Sequence, residues 1–253
     1  MSEQMRRCLE MNGGQVSNAP HWRFLLPPAK QGYADAQIDD YGQTHHWRPR
    51  RYYPWRPGVH MSLQARFSHP AGCLLGTAGF GFWNAPFGDP TIPLPALPQA
   101  TWFFYASEPS DLPLAESGTG RGWFAAALDA TTLRAKAMIP FAPVVLLLNQ
   151  WPRLRRSLWP KIRRQLGISF QLLSVDMTEW HEYELWWGQN GCEFRVDSNA
   201  ILETPFSPRG PLGFVCWLDN QYMVLTVNGR FRWGVIPVSE TQWMEVKNLQ
   251  IIA

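Results

Sequence analysis

WHEYELWWGQNGCEFRVDS, residues 180–198, alternates large apolar rings with charged side chains and turns over at Gln189-Asn190-Gly191 before resuming with Phe194, Val196 and Asp197. Side chains of an extended chain project alternately to opposite faces, so Tyr183, Leu185 and Trp187 share one face while Glu184 and Trp186 share the other. An Asn-Gly pair between two such runs is the signal of a tight hairpin. The stretch is therefore read as two antiparallel strands with one buried face. At about 25 cal/mol per Å² and roughly 150–250 Å² per ring, burial of each ring stabilises by several kcal/mol before chain entropy is set against it. The aromatic density needs no ligand to explain it.

Working outward, the same period of two recurs along the 253 residues at 33–41, 59–68, 76–84, 100–107, 122–129, 180–188, 192–198, 212–219, 222–227 and 243–251, punctuated by Gly, Pro and Asn. Charged residues make up only 17 %, against 14 Trp, 14 Phe and 22 Pro, so the interior is built from rings and the connections from stiff turns. This predicts an all-β protein, a single sandwich domain over 1–253. No fixed-period repeat is present, which argues against propellers and solenoids. Residues 130–175 break the rhythm: they contain no Asp or Glu but carry Arg134, Lys136, Arg153, Arg155, Arg156, Lys161, Arg163 and Arg164. Leu154, Leu158, Ile162 and Leu166 recur every four residues there, with Pro152 suited to open a helix and Pro160 to kink it or begin a second one. The segment reads as a basic amphipathic helical insertion, which either covers the sandwich or meets an anionic membrane through Arg155, Arg156, Arg163 and Arg164.

The run His181-x-Tyr183-x-Leu185-x-Trp187, a polar turn, then Phe194-x-Val196-Asp197 and a proline-containing loop (Pro205, Pro208, Pro211) ahead of the strand from Phe214 to Gln221 resembles the late hairpin of the concanavalin A-like jelly roll of family 16 glycoside hydrolases and laminarinase-like glucanases. The resemblance implies two antiparallel sheets with a concave ligand face, and it is detailed only over 180–228. The family's catalytic Glu-x-Asp-x-Glu, which sets a nucleophile and an acid/base on one face of a strand, is missing. The strand in the corresponding place, TWFFYASE (101–108), brings only Glu108, with Asp111 following. Glucanase activity is accordingly not expected.

Three strands share a suggestive face. Gly79 and Gly81 alternate with Phe80 and Phe82, so the side opposite the phenylalanines is bare backbone up to Trp83. With Trp102, Tyr105, Glu108 and Asp111 on the next strand and Trp217, Asp219 and Gln221 on another, this describes a groove walled by rings and tipped by polar groups, able to take a glycan or other small molecule. The same tryptophans would serve equally to pack beneath the insertion. The cluster DDYGQTHHW (39–47) adds Asp40 and His46 as acid/base partners for Glu108 or Asp219. Three classes of activity stay open: a binding protein, a glycosidase-like or isomerase/cyclase-like enzyme using these four residues, and a membrane-surface protein handling an apolar lipid or isoprenoid.

Other classes are disfavoured. A net charge of +3 without a dedicated basic stripe gives no nucleic-acid signature, and no P-loop, dinucleotide fingerprint, G-x-S-x-G or H-E-x-x-H is present, so neither cofactor nor metal is expected. The first residues lack the apolar run of an export signal, and Cys8, Cys73, Cys192 and Cys216 lack disulfide or metal spacing. Reduced, buried thiols in a cytoplasmic protein are expected, at the membrane periphery if the insertion meets lipid.

Overall fold

The computed structural model describes residues 6–43, 50–51, 53–86 and 96–253. The strands are β1 (Arg7–Met11), β2 (Gln15–Asn18), β3 (Trp22–Leu26), β4 (Asp35–Asp39), β5 (Gly42–Gln43), β6 (Arg50–Arg51), β7 (Val59–Phe67), β8 (Thr77–Trp83), β9 (Gln99–Ala106) and β10 (Gly122–Asp129). Helices α1 (Leu133–Met138), α2 (Ala142–Leu148) and α3 (Pro152–Gln165) follow, with a 3-10 turn at Ile139–Phe141. The chain returns to strands in β11 (Ser169–Leu172), β12 (His181–Gly188), β13 (Gly191–Val196), β14 (Asn199–Thr204), β15 (Gly213–Asp219), β16 (Gln221–Leu225), β17 (Phe231–Val235) and β18 (Gln242–Ile252).

Two antiparallel seven-stranded sheets face each other, in the orders β1-β4-β15-β8-β9-β10-β11 and β14-β13-β12-β7-β18-β3-β2, giving the antiparallel β-sandwich expected from the hairpin. The hairpin lies in the second sheet, with Tyr183 opposite Val196 and Leu185 opposite Phe194. Its inward side chains Tyr183, Leu185, Trp187, Phe194 and Val196 are all buried between the sheets. Tyr183 meets Phe80 and Phe103 of the first sheet at 5.1 Å each, and Phe82 lies 5.5 Å from Trp187. On the outer face Trp186 is stacked on His60 at 4.3 Å and covered by the Arg195 guanidinium at 4.9 Å. His181 and Asp197 staple the hairpin: the imidazole bonds the Asp197 carboxylate at 2.6 Å, and that carboxylate accepts the Glu182 N–H at 2.9 Å. Asp197 and Ser198 both have positive φ, as a two-residue turn into β14 requires.

Several strands lack a sequence signal. β1 and β2 lie at or beside sheet edges with mostly exposed side chains, so no alternation marks them. Helices occupy only part of 130–175: Ser169–Leu172 is the edge strand of the first sheet, paired with β10. α3 runs unbroken past Pro160, losing the one backbone bond that a proline cannot donate. Two of the four thiols depart from the expected burial. Cys192 and Cys216 are buried, and burial pushes the Cys192 thiol up to about 11, whereas Cys8 and Cys73 are exposed.

Candidate functional site

Cross-strand pairing fixes the concave face of the first sheet as three rows. The first runs Arg7, Asp39, Val215, Gly81, Trp102, Ala126 and Phe170. The second runs Leu9, Gln37, Trp217, Gly79, Phe104, Phe124 and Leu172. The third runs Met11, Asp35, Asp219, Thr77, Ala106 and Gly122. One end of the face is thus acidic and the other aromatic.

Glycine at position 79 makes room for a side chain of the protein itself. A Cβ there would stand 2.9 Å from Cη2 of Trp217, whose ring fills the space that sequence reading left for a ligand. Trp217 lies parallel to Trp83 with centroids 6.4 Å apart, and Trp102 stands 5.7 Å from Trp83 and 6.0 Å from Trp217. α3 packs into the apolar cluster that contains these rings. Its Trp159 and Ile162, with Leu166 at its C-terminal cap, belong to that cluster, while the Trp159 indole donates to the Ala115 carbonyl at 2.8 Å and Arg163 to the Leu114 carbonyl at 2.8 Å. Trp102 and Trp217 are consequently 9 % and 7 % exposed, and the face is closed rather than an open groove.

The acidic end is a polar network around Asp219. Its Oδ1 accepts from the Thr77 hydroxyl (2.7 Å) and from the N–H groups of Thr77 and Gln221 (3.2 Å each). Its Oδ2 accepts from Gln221 Nε2 (2.6 Å) and the Tyr33 hydroxyl (3.2 Å). The Trp217 indole donates to the Thr77 hydroxyl at 3.0 Å, so a hydrogen-bond chain joins ring to carboxyl. Burial nevertheless outweighs these donors and pushes Asp219 up to about 7. Asp35, directly across from it, is raised well above the carboxylate range by burial and then by the charges of Asp219 and Asp39. Arg7 and Gln37 bond Asp39 at 2.7–2.9 Å. The pair Asp35 and Asp219 can therefore keep a proton near neutral pH. Two buried polar atoms on this face, Oδ1 of Asp35 and Nε1 of Trp102, have no hydrogen-bond partner among the described residues.

Trp83, Trp102, Trp217, Asp219 and Gln221 thus come together on one face. Tyr105 does not join them: it points between the sheets, where its hydroxyl donates to the Leu74 carbonyl and accepts the Gly72 N–H, because β9 alternates and Tyr105 falls out of phase with Trp102 and Phe104. Glu108 is exposed and paired with Arg121 at 2.5 Å, turned away from the buried Asp219. Asp40 accepts from the Trp55 indole and the Phe214 N–H, and burial holds it at about 6. Asp111 pairs with β16 through Met223 and Leu225 and accepts the Gly120 N–H, which makes it a loop anchor. His46 lies outside the described residues. No cluster able to hold a metal occurs among the described residues.

Asp35, Gln37, Tyr33 and Thr77 were missed as site residues. For Asp35 and Gln37 the signal was present in DAQID (35–39), where acid, amide and acid alternate within a segment already read as a strand; Tyr33 and Thr77 lie outside it.

Fold and site together define an antiparallel β-sandwich with a covered aromatic concave face. No family model matches the chain, and no curated protein does. Among solved structures it is similar to a GlcNAcα1-4Gal-releasing endo-β-galactosidase from Clostridium perfringens (13 % identity, TM-score 0.42), over 95 % of this chain and 53 % of that one, so it spans about half that protein's length. It is also similar to the Bacillus licheniformis β-glucanase (8 % identity, TM-score 0.45, 97 % and 91 % covered) and to the Crh5 transglycosylase in complex with NAG (9 %, 0.48, 98 % and 78 %).

Proposed function

We propose that this sandwich is a binding protein for a flat-faced, hydroxyl-bearing small molecule, a glycan segment foremost, taken on the concave face between Asp35 and Asp219 at one end and Trp83, Trp102 and Trp217 at the other. The observation that carries the reading is a pair of buried atoms on this one face, Trp102 Nε1 and Asp35 Oδ1, that have no hydrogen-bond partner among the described residues. Leaving such a group unmade costs about 1–3 kcal/mol, which a ligand offering an acceptor and a donor would recover. Rings beside polar groups are what a sugar face and its hydroxyls require. Access requires α3 to move, and the bonds that hold its two anchors, Trp159 and Arg163, end on carbonyls of one loop.

The test is a titration of the full chain with β-glucan, galactan and alginate oligosaccharides, followed by tryptophan fluorescence. Trp102→Phe keeps an aromatic ring but removes the donor and part of the indole volume, so affinity should drop by at least roughly tenfold, the equivalent of about 1.4 kcal/mol, with the melting temperature followed alongside to register the lost packing. Binding undiminished in Trp102→Phe and in Asp35→Asn, or no binding by any oligosaccharide, would refute the site.

A further inference from the structure

Far from the usual pattern of a surface helix, residues 137–148 (AMIPFAPVVLLL) contain no charge at all. Between Leu133 and Gln150 only Ala135 and Asn149 are buried. Ile139, Phe141, Val144, Leu146 and Leu147 stand in solvent, with Phe141 at 63 % exposure. A second exposed apolar element lies beside them. On the β16–β17 hairpin Leu225 pairs with Phe231, and Phe231 and Trp233 are 62 % and 67 % exposed. The two elements are fastened at their tips: Asn149 Nδ2 donates to the Val227 carbonyl at 2.9 Å and Gln150 Nε2 to the Asn228 carbonyl at 2.7 Å. Leu146 lies against Gly229. A monomer rarely exposes contiguous apolar surface on this scale unless it meets something.

We propose that α1, α2 and the β16–β17 tip form a single docking surface for an anionic lipid bilayer. A helix that docks in a protein groove carries one apolar stripe and a polar back, whereas 137–148 is apolar all round, the composition of a segment that enters hydrocarbon. The rim is cationic. Arg134 and Lys136 precede the segment, Arg153 and Arg156 follow it, and Arg230 and Arg232 stand on the hairpin, all exposed. Residues 130–175 and 220–239 contain no acid. A second copy of the chain would set like charge against like across this surface, while anionic headgroups complement it. The basic quartet expected from sequence is divided by the fold. Arg163 is spent on the Leu114 carbonyl and, like Arg155, is half-buried, so the lipid-facing charges come from the ends of the insertion and from the hairpin.

The test is flotation of the full chain with vesicles of neutral phosphatidylcholine and with vesicles containing 30 % phosphatidylserine. Binding should be at least tenfold stronger to the anionic vesicles and fall as salt rises, and brominated lipids should quench tryptophan fluorescence. Phe141→Ser with Trp233→Ser should abolish flotation while leaving the melting temperature unchanged, and Arg134→Gln with Arg153→Gln and Arg156→Gln should remove the preference for charge. Equal flotation with both vesicles, no flotation, or a dimer dissolved by Phe141→Ser would overturn the proposal. The bromolipid arm needs no variant, so a misfolded variant cannot mask the answer.

Discussion

Asp219→Asn tests the acidic end of the concave face through pH. Asp219 holds its proton to about 7 when folded, against an ordinary value of 3.8, because burial disfavours the anion more than its hydrogen bonds favour it. Below about pH 4 the carboxyl is protonated in both folded and unfolded chains, and its contribution to stability is fully present. Between about 4 and 7 the unfolded chain ionises while the folded one does not, so stability falls as pH rises, and the loss is complete above about 7. At about 1.4 kcal/mol per pH unit the loss is about 4 kcal/mol, shared with Asp35 because the facing carboxyls titrate together. Asparagine imitates the protonated acid: its oxygen can accept from Thr77, and its amide can face Tyr33 and Gln221 once those groups turn. Urea unfolding of wild type and variant from pH 4.5 to 8 isolates the effect, since the contribution of Asp40, present in both, cancels in the difference. The variant should begin less stable and gain about 2–4 kcal/mol relative to wild type across that range. A constant difference, or one moving the other way, would mean that Asp219 is an ordinary ionised carboxylate and that this end of the face is wet.

Trp187→Ala should cost about 3–5 kcal/mol by denaturant unfolding, since the ring is fully buried against Phe82 and its N–H bonds the Pro208 carbonyl at 3.0 Å; a loss under 1 kcal/mol would contradict the packing. The protein should release no reducing sugar from β-1,3 or β-1,4 glucans, because the carboxylate pair of a Glu-x-Asp-x-Glu strand is absent and Glu108 is paired with Arg121; release above that of a Glu108→Gln control would refute this.

The hairpin at 180–198 declared itself because its faces have different fates: inward rings at alternate positions have a period that only a half-buried strand satisfies. The same logic made β7, β8, β9, β10 and β15 legible. It could not find β1, β2 or β17, whose largely exposed side chains carry no contrast. Composition and the four-residue leucine spacing marked 130–175 as a basic helical insertion, but they showed neither the strand at Ser169–Leu172 nor which bases are free, because the latter depends on which turn of α3 rests on the loop at Leu114 and Ala115. The aromatic residues of the concave face could be read from alternation within each strand. Pairing between strands distant in sequence decided the rest. It sets Asp35 across from Asp219, lays Trp217 over Gly79 and leaves Glu108 outside, since register, unlike periodicity, is fixed by how whole sheets pack.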